Sequence, residues 1–181
     1  DLDYVIKYIE DRVPLHLMHL IDAFYVGTFD FLNDRDVNAS YKDNAIYITN
    51  NQVSEEDMID DVVHEIAHSV DELLGEELFF DGDIEREFIG KRQRLCSLLS
   101  YEGYNIPSDV CLKLEYNKKF DEFLYQEVGY EKLTNITMGL FYSPYAATSL
   151  IEYFANGFEH YFIGDRKYLS NTSPRLYNKI T

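Results

Sequence analysis

Between Ser54 and Gly75 the sequence carries its clearest helical signal, and that segment limits the fold more than any other. Ser54 suits an N-cap, and Glu55, Glu56 and Asp57 suit the positive end of a first turn. Met58, Ile59, Val62, Val63, Ile66, Val70 and Leu73 then recur at helical spacing, and Gly75 is expected to close the helix as its C-cap. Set into this stripe is His64-Glu65-Ile66-Ala67-His68. Residues four apart share a helix face about one turn apart, so both imidazoles can reach one metal ion. Glu65, beside the first histidine, can take a proton from a water that the metal activates, without entering the coordination sphere. The plainer alternative is a pair of hydrogen-bonded histidines on a helix face. It leaves a cluster of polar groups beside an apolar stripe, which is costly to satisfy without a metal. The residues therefore predict Zn2+ on His64 and His68, with Glu65 as general base.

A catalytic zinc usually takes three protein ligands and keeps one open position. A third histidine ten residues after the first is ruled out, because position 74 is Leu74. The remaining candidates are His160 and the acids of a helix expected over Leu150 to Phe162, capped by Ser149. Glu152 lies in its first turn and leads on position; Glu159 and His160 fall toward the far end and are expected at the surface.

Elsewhere the reading is coarser. Asp3 to about Val26 has helical spacing interrupted near Pro14, Asn33 to Asn44 reads as a polar turn region, and Ala45 to Thr49 reads as a short strand. Asp83 is expected to cap a helix over about Ile84 to Leu99, and Val110 to Val128 is expected to be helical. Ser173-Pro174 opens a short last helix. Glu76, Glu77, Asp81 and Asp83 read as a solvated loop; Asp71, three residues past His68, reads equally as an acceptor behind a ligand or as a solvated face.

With 181 residues the chain suits one catalytic domain, residues 1–181. Within it, an N-terminal portion (residues 1–75) holds the strand and the His helix, and a helical portion (residues 76–181) supplies the third ligand. A net charge of −17 repels phosphate backbones and argues against a nucleic-acid partner. No apolar run is long enough for a membrane span. Cys96 and Cys111 are too few for a disulfide framework and are expected as small apolar fillers. The chain opens on Asp1 rather than Met, as expected of a processed or excised piece.

His64-Glu65-Ile66-Ala67-His68-Ser69-Val70-Asp71-Glu72, with Gly75, resembles the active-site helix of the anthrax lethal factor peptidase domain and its relatives, among them clostridial Pro-Pro endopeptidases. Tyr145, followed by Glu152-Tyr153-Phe154-Ala155-Asn156-Gly157-Phe158, is similar to that family's Tyr seven residues before a Glu-aromatic-Phe-Ala-x-x-Phe run. The tail around Pro174, Leu176, Tyr177 and Ile180 resembles its closing helix. The resemblance implies an α+β, mostly helical, zincin-like metallopeptidase domain with a small sheet before the His helix. It implies that His64, His68 and Glu152 hold zinc, that Glu65 is the base, and that the Tyr145 hydroxyl stabilises the oxyanion. It also implies a secreted endopeptidase, toxins being among the relatives, whose peptide substrate binds in extended form along an edge strand, Ala45 to Thr49. Asn156-Gly157 departs from the pattern, since a helical Gly costs roughly 1 kcal/mol relative to Ala. Two other functions stay open at this point: a zincin-fold binding or effector module without turnover, and a zinc hydrolase of a non-peptide amide. The intact Glu65 argues against the first.

Overall fold

Asp1 accepts the amides of Asp3 and Tyr4, and with that cap the first helix, α1 (Leu2–Glu10), buries Val5 and Ile9. Pro14 then leads into a single 3-10 turn over Leu15–Met18. The computed structural model describes residues 1–181, and from here it departs from the helix expected to run on toward Val26. Ala23–Gly27 is a strand, β1, formed by the aromatic and β-branched run Phe24-Tyr25-Val26. The region expected as turns, 33–44, holds the end of helix α2 (Asp30–Arg35) and strand β2 (Ala39–Lys42). Turns remain at Asp36, which ends α2 in the left-handed region (φ 54°), and at Asp43 and Asn44 (φ 51° and 59°), the two-residue connection that suits a tight hairpin.

Strand β3 (Ala45–Thr49) forms where expected, but not at an edge. The sheet order is β1-β3-β2, with β1 parallel and β2 antiparallel to β3. Both sides of β3 are therefore paired, its amides and carbonyls are committed, and an added peptide strand cannot use it. The free edges belong to β1 and β2.

Helix α3 (Glu55–Phe79) starts as expected, with the Ser54 hydroxyl accepting the Asp57 amide at 3.1 Å. It buries Met58, Ile59, Val62, Val63, Ile66 and Val70 among others. It does not stop at Gly75. The following Glu76-Glu77-Leu78-Phe79 are competent helix formers, and the helix absorbs the glycine; the left-handed residue comes later, at Gly82 (φ 66°). A Cβ at position 75 would sit 3.2 Å from an Asp71 carboxylate oxygen, a close approach that suits the missing side chain.

The chain forms two compact units, residues 1–75 with 162–164, and residues 76–161 with 165–181. The second is built around helix α4 (Asp83–Tyr101). Asp83 is the first residue of this helix rather than its cap, and its amide donates to Asp81 at 2.9 Å. Asp81 and Asp83 are not a loose loop: Asp81 pairs with Lys179 at 2.6 Å, and Asp83 pairs with Arg86 and Arg175. The stretch expected to be helical from 110 to 128 is broken. A 3-10 turn (Val110–Leu112) is followed by irregular chain, and Asn117 then caps α5 (Lys118–Glu122), which runs into a π-helical turn over Phe123–Val128. Cys96 of α4 and Cys111 of the 3-10 turn form a disulfide, so they are not separate fillers. After α6 (Tyr130–Thr137), α7 (Leu150–Phe162), α8 (Arg166–Thr172) and α9 (Pro174–Ile180) complete the unit.

Three contacts tie these helices together. The Glu87 carboxylate accepts the amides of Arg175 and Leu176 at the start of α9, and the Tyr153 hydroxyl of α7 at 2.8 Å. The buried Lys91 ammonium donates to the carbonyls of Leu140 and Thr172 and to the Ser173 hydroxyl, at 2.6 to 2.8 Å. Gly157 has a packing reason: a Cβ there would lie 2.2 Å from Leu176 Cδ2, so α7 and α9 approach closely where the side chain is missing. No helix is long and apolar enough to cross a membrane.

Candidate metal centre

Helix α3 presents His64 and His68 on one face, as four-residue spacing requires, with ring centroids 4.9 Å apart and the rings nearly perpendicular. Both are half-buried among fully buried neighbours: Val63 on one side, Ile66 and Ala67 on the other. Glu65 points elsewhere along the helix, and its Oε2 accepts the backbone amide of Tyr41 on β2 at 2.5 Å. The candidate base is thus held by the free-edge strand. Asp71 is partly buried rather than solvated, and desolvation, followed by the nearby Glu72 charge, holds its carboxyl above the usual range.

Helix α7 presents Glu152 from its first turn, where the Ser149 hydroxyl accepts the Glu152 amide at 3.2 Å. Tyr145 precedes it on a 3-10 turn, Tyr145–Ala147. The Thr148 amide and hydroxyl both donate to the Tyr145 carbonyl, at 2.9 and 2.8 Å, and so fix the turn. Tyr145 keeps 37% of its surface exposed, yet desolvation pushes its phenol above the usual pKa, and the Glu152 carboxylate adds to the rise by its charge and by accepting the hydroxyl. The hydroxyl is therefore protonated, and a donor, throughout the physiological range.

One ligand atom from each of His64, His68 and Glu152 lies within 4.8 Å of the others, all three residues half-buried. Two imidazoles and a carboxylate are a catalytic zinc's donor set, and an ion about 2.0–2.2 Å from each donor sets them roughly 3.4 Å apart. Small side-chain rotations span that difference, so the residues fit the metal. Neither Glu159 nor His160 joins this group. They are not surface residues either: their side chains keep only 13% and 17% exposure. The His160 ring lies flat on Tyr142, centroids 3.1 Å apart, and its Nε2 is 3.4 Å from Glu159. Aromatic stacking, not solvent, occupies that end of α7.

The sequence reading missed Tyr116 and Asp121. The Tyr116 hydroxyl donates to Asp121 at 2.6 Å, and desolvation with that carboxylate pushes its pKa to about 12. Both residues also bear electrostatically on Tyr145. They sit in the stretch expected as one continuous helix, and nothing in their local pattern marks them.

Compared with family models, with curated proteins and with solved structures, the chain finds no match.

Proposed function

We propose that this chain is a zinc-dependent endopeptidase of zincin-like fold, with His64, His68 and Glu152 as metal ligands. The observation that carries this reading is the grouping of those three donors within 4.8 Å, drawn from residues more than eighty positions apart in sequence. Zinc bound there supplies a Lewis acid that polarises a peptide carbonyl and acidifies a water. Glu65 adjoins a ligand in sequence, stands outside the donor group, and accepts the proton as general base. Tyr145 supplies a neutral hydroxyl that donates to the oxygen on which charge grows. The peptide lies extended along a free edge of the sheet rather than along β3, both of whose sides are paired. A secreted setting agrees with the Cys96–Cys111 bridge, since disulfides persist in oxidising compartments.

The test separates binding from chemistry. The purified chain is expected to hold close to one zinc. Glu65→Ala is expected to keep the zinc and the melting temperature but to lose cleavage of a mixed peptide library. Undiminished cleavage by that variant overturns the mechanism, whatever its metal content.

A further inference from the structure

The first amide of α7, that of Leu150, donates to the Leu114 carbonyl at 2.8 Å. The irregular chain between the Val110–Leu112 turn and α5 is thereby fastened to the helix end that carries Glu152 two residues on. Tyr116 stands on this fastened segment, two residues past Leu114. Its hydroxyl donates to Asp121 Oδ2 at 2.6 Å, and Asp121 lines a narrow cavity together with Tyr145 and Thr148. Asp121 thus adjoins both tyrosines, which keep 50% (Tyr116) and 37% (Tyr145) of their surface exposed. All of these residues belong to the second compact unit. Desolvation and Asp121 are the main causes of the raised Tyr116 pKa, and the Glu152 charge is a smaller one, so the phenol is within electrostatic reach of the candidate ligand.

An exposed tyrosine on irregular chain ordinarily turns about its two side-chain torsions, with its hydroxyl satisfied by water. Here an ionised acceptor holds the hydroxyl, and a backbone bond holds the chain two residues earlier. The ring is fixed in place while half of it stays open to solvent. A large ring that is already ordered loses little further entropy when a ligand packs on it, which is why tyrosine serves binding surfaces well. We propose that Tyr116 is a substrate-binding residue, its ring the wall against which the peptide packs beside Glu152, and that Asp121 is its positioning residue. This rests on the peptidase reading and extends it by naming what sets the place of the peptide next to a ligand. The ring offers apolar area and dispersion, and its hydroxyl proton is spent on Asp121, so it steers where the chain lies and takes no part in activating water. Asp121 acts through Tyr116 and touches no peptide.

The probes are two leucine-built peptide hydroxamates, one extending to each side of the chelating group, with acetohydroxamate as the chelator alone. Binding to the zinc-loaded chain is measured by calorimetry. Tyr116→Leu is expected to weaken at least one peptide probe about tenfold and to leave acetohydroxamate affinity, zinc content and Tm unchanged. Tyr116→Phe and Asp121→Ala are each expected to weaken the same probe by a smaller factor, with no further loss in the double variant, because both break one bond. Asp121→Asn keeps an oxygen that accepts the hydroxyl and is expected to restore most of the affinity. If Tyr116→Leu does not fold, the other variants decide. Unchanged peptide affinity, an equal loss for acetohydroxamate, or a fall in Tm with affinity per folded molecule intact each overturns the proposal. A wild-type chain that takes up no zinc or binds no acetohydroxamate overturns the peptidase reading and this proposal with it. Wild-type binding of every probe with indifferent variants overturns this proposal alone.

Discussion

Glu152 and Tyr145 face each other across one hydrogen bond, and two substitutions distinguish what each contributes. Glu152→Ala removes a ligand, so zinc retained after dialysis should fall sharply, as measured by metal analysis. Glu159→Ala and His160→Ala should keep it, because those side chains are engaged with each other and with Tyr142. Metal lost on His160→Ala and kept on Glu152→Ala would reverse the assignment. Tyr145→Phe removes one hydroxyl and leaves the ring. Loss of an oxyanion donor costs about a hundredfold to a thousandfold in kcat, with KM, zinc content and Tm little changed. A lower Tm with normal kcat would make Tyr145 a packing residue. The phenol is held above its usual pKa, so loss of a proton from it should not shape the pH profile below about pH 10. Most of these residues were legible from local spacing and from the two motif blocks. The burial of Glu159 and His160 was not, because it depends on Tyr142, which the helix pattern does not reveal.

Among the elements, the legible ones announce themselves within a few residues. Ser54 and Ser149 cap α3 and α7, Pro174 opens α9, and the β-branched core of β3 lies between turn residues. Strand β1 offers only strand-favouring residues without alternation, and β2 offers less. Phe24, Tyr25 and Val26 are all exposed, so β1 shows no alternation, and Ala39-Ser40-Tyr41-Lys42 is short with modest strand preference. Both exist because β3 offers them partners, which is a tertiary fact. Gly75 misled for the converse reason: a glycine late in a helical pattern looks like a stop, but the chain beyond it can continue. Gly157 gives the test at this scale. Gly157→Ala improves helix propensity by roughly 1 kcal/mol, yet the added methyl must displace Leu176, and overpacking typically costs about 1–3 kcal/mol. The net change should be destabilising, seen as a lower denaturant midpoint at unchanged slope. A stabilised variant would mean that α9 moves aside without cost.

At the scale of the whole molecule, composition and charge give expectations about partners but no geometry. They argue against a membrane span and a nucleic-acid partner, but two cysteines in a sequence carry no geometry, and their pairing could not be read. The bridge encloses a loop of 15 residues, for which loop-closure entropy alone corresponds to about 3 kcal/mol. Reduction, or Cys96→Ser with Cys111→Ser, should lower Tm by several degrees, measured with zinc present and absent. The bridge joins α4 to the Val110–Leu112 turn and touches no candidate ligand, so zinc content should survive its loss at temperatures where the chain stays folded. Zinc lost together with the bridge at low temperature would make the metal centre depend on it.

The contact between Gly157 and Leu176 also has an evolutionary meaning. While position 176 carries a branched side chain pressed against the α7 backbone, position 157 has one permitted state. A smaller residue at 176 would release it. Among descendants of this chain the two positions should change together or not at all, and a lineage passing through a singly altered intermediate would cross a stability valley. A covarying pair of this kind leaves a legible trace in a deep set of relatives, even where neither residue touches a substrate.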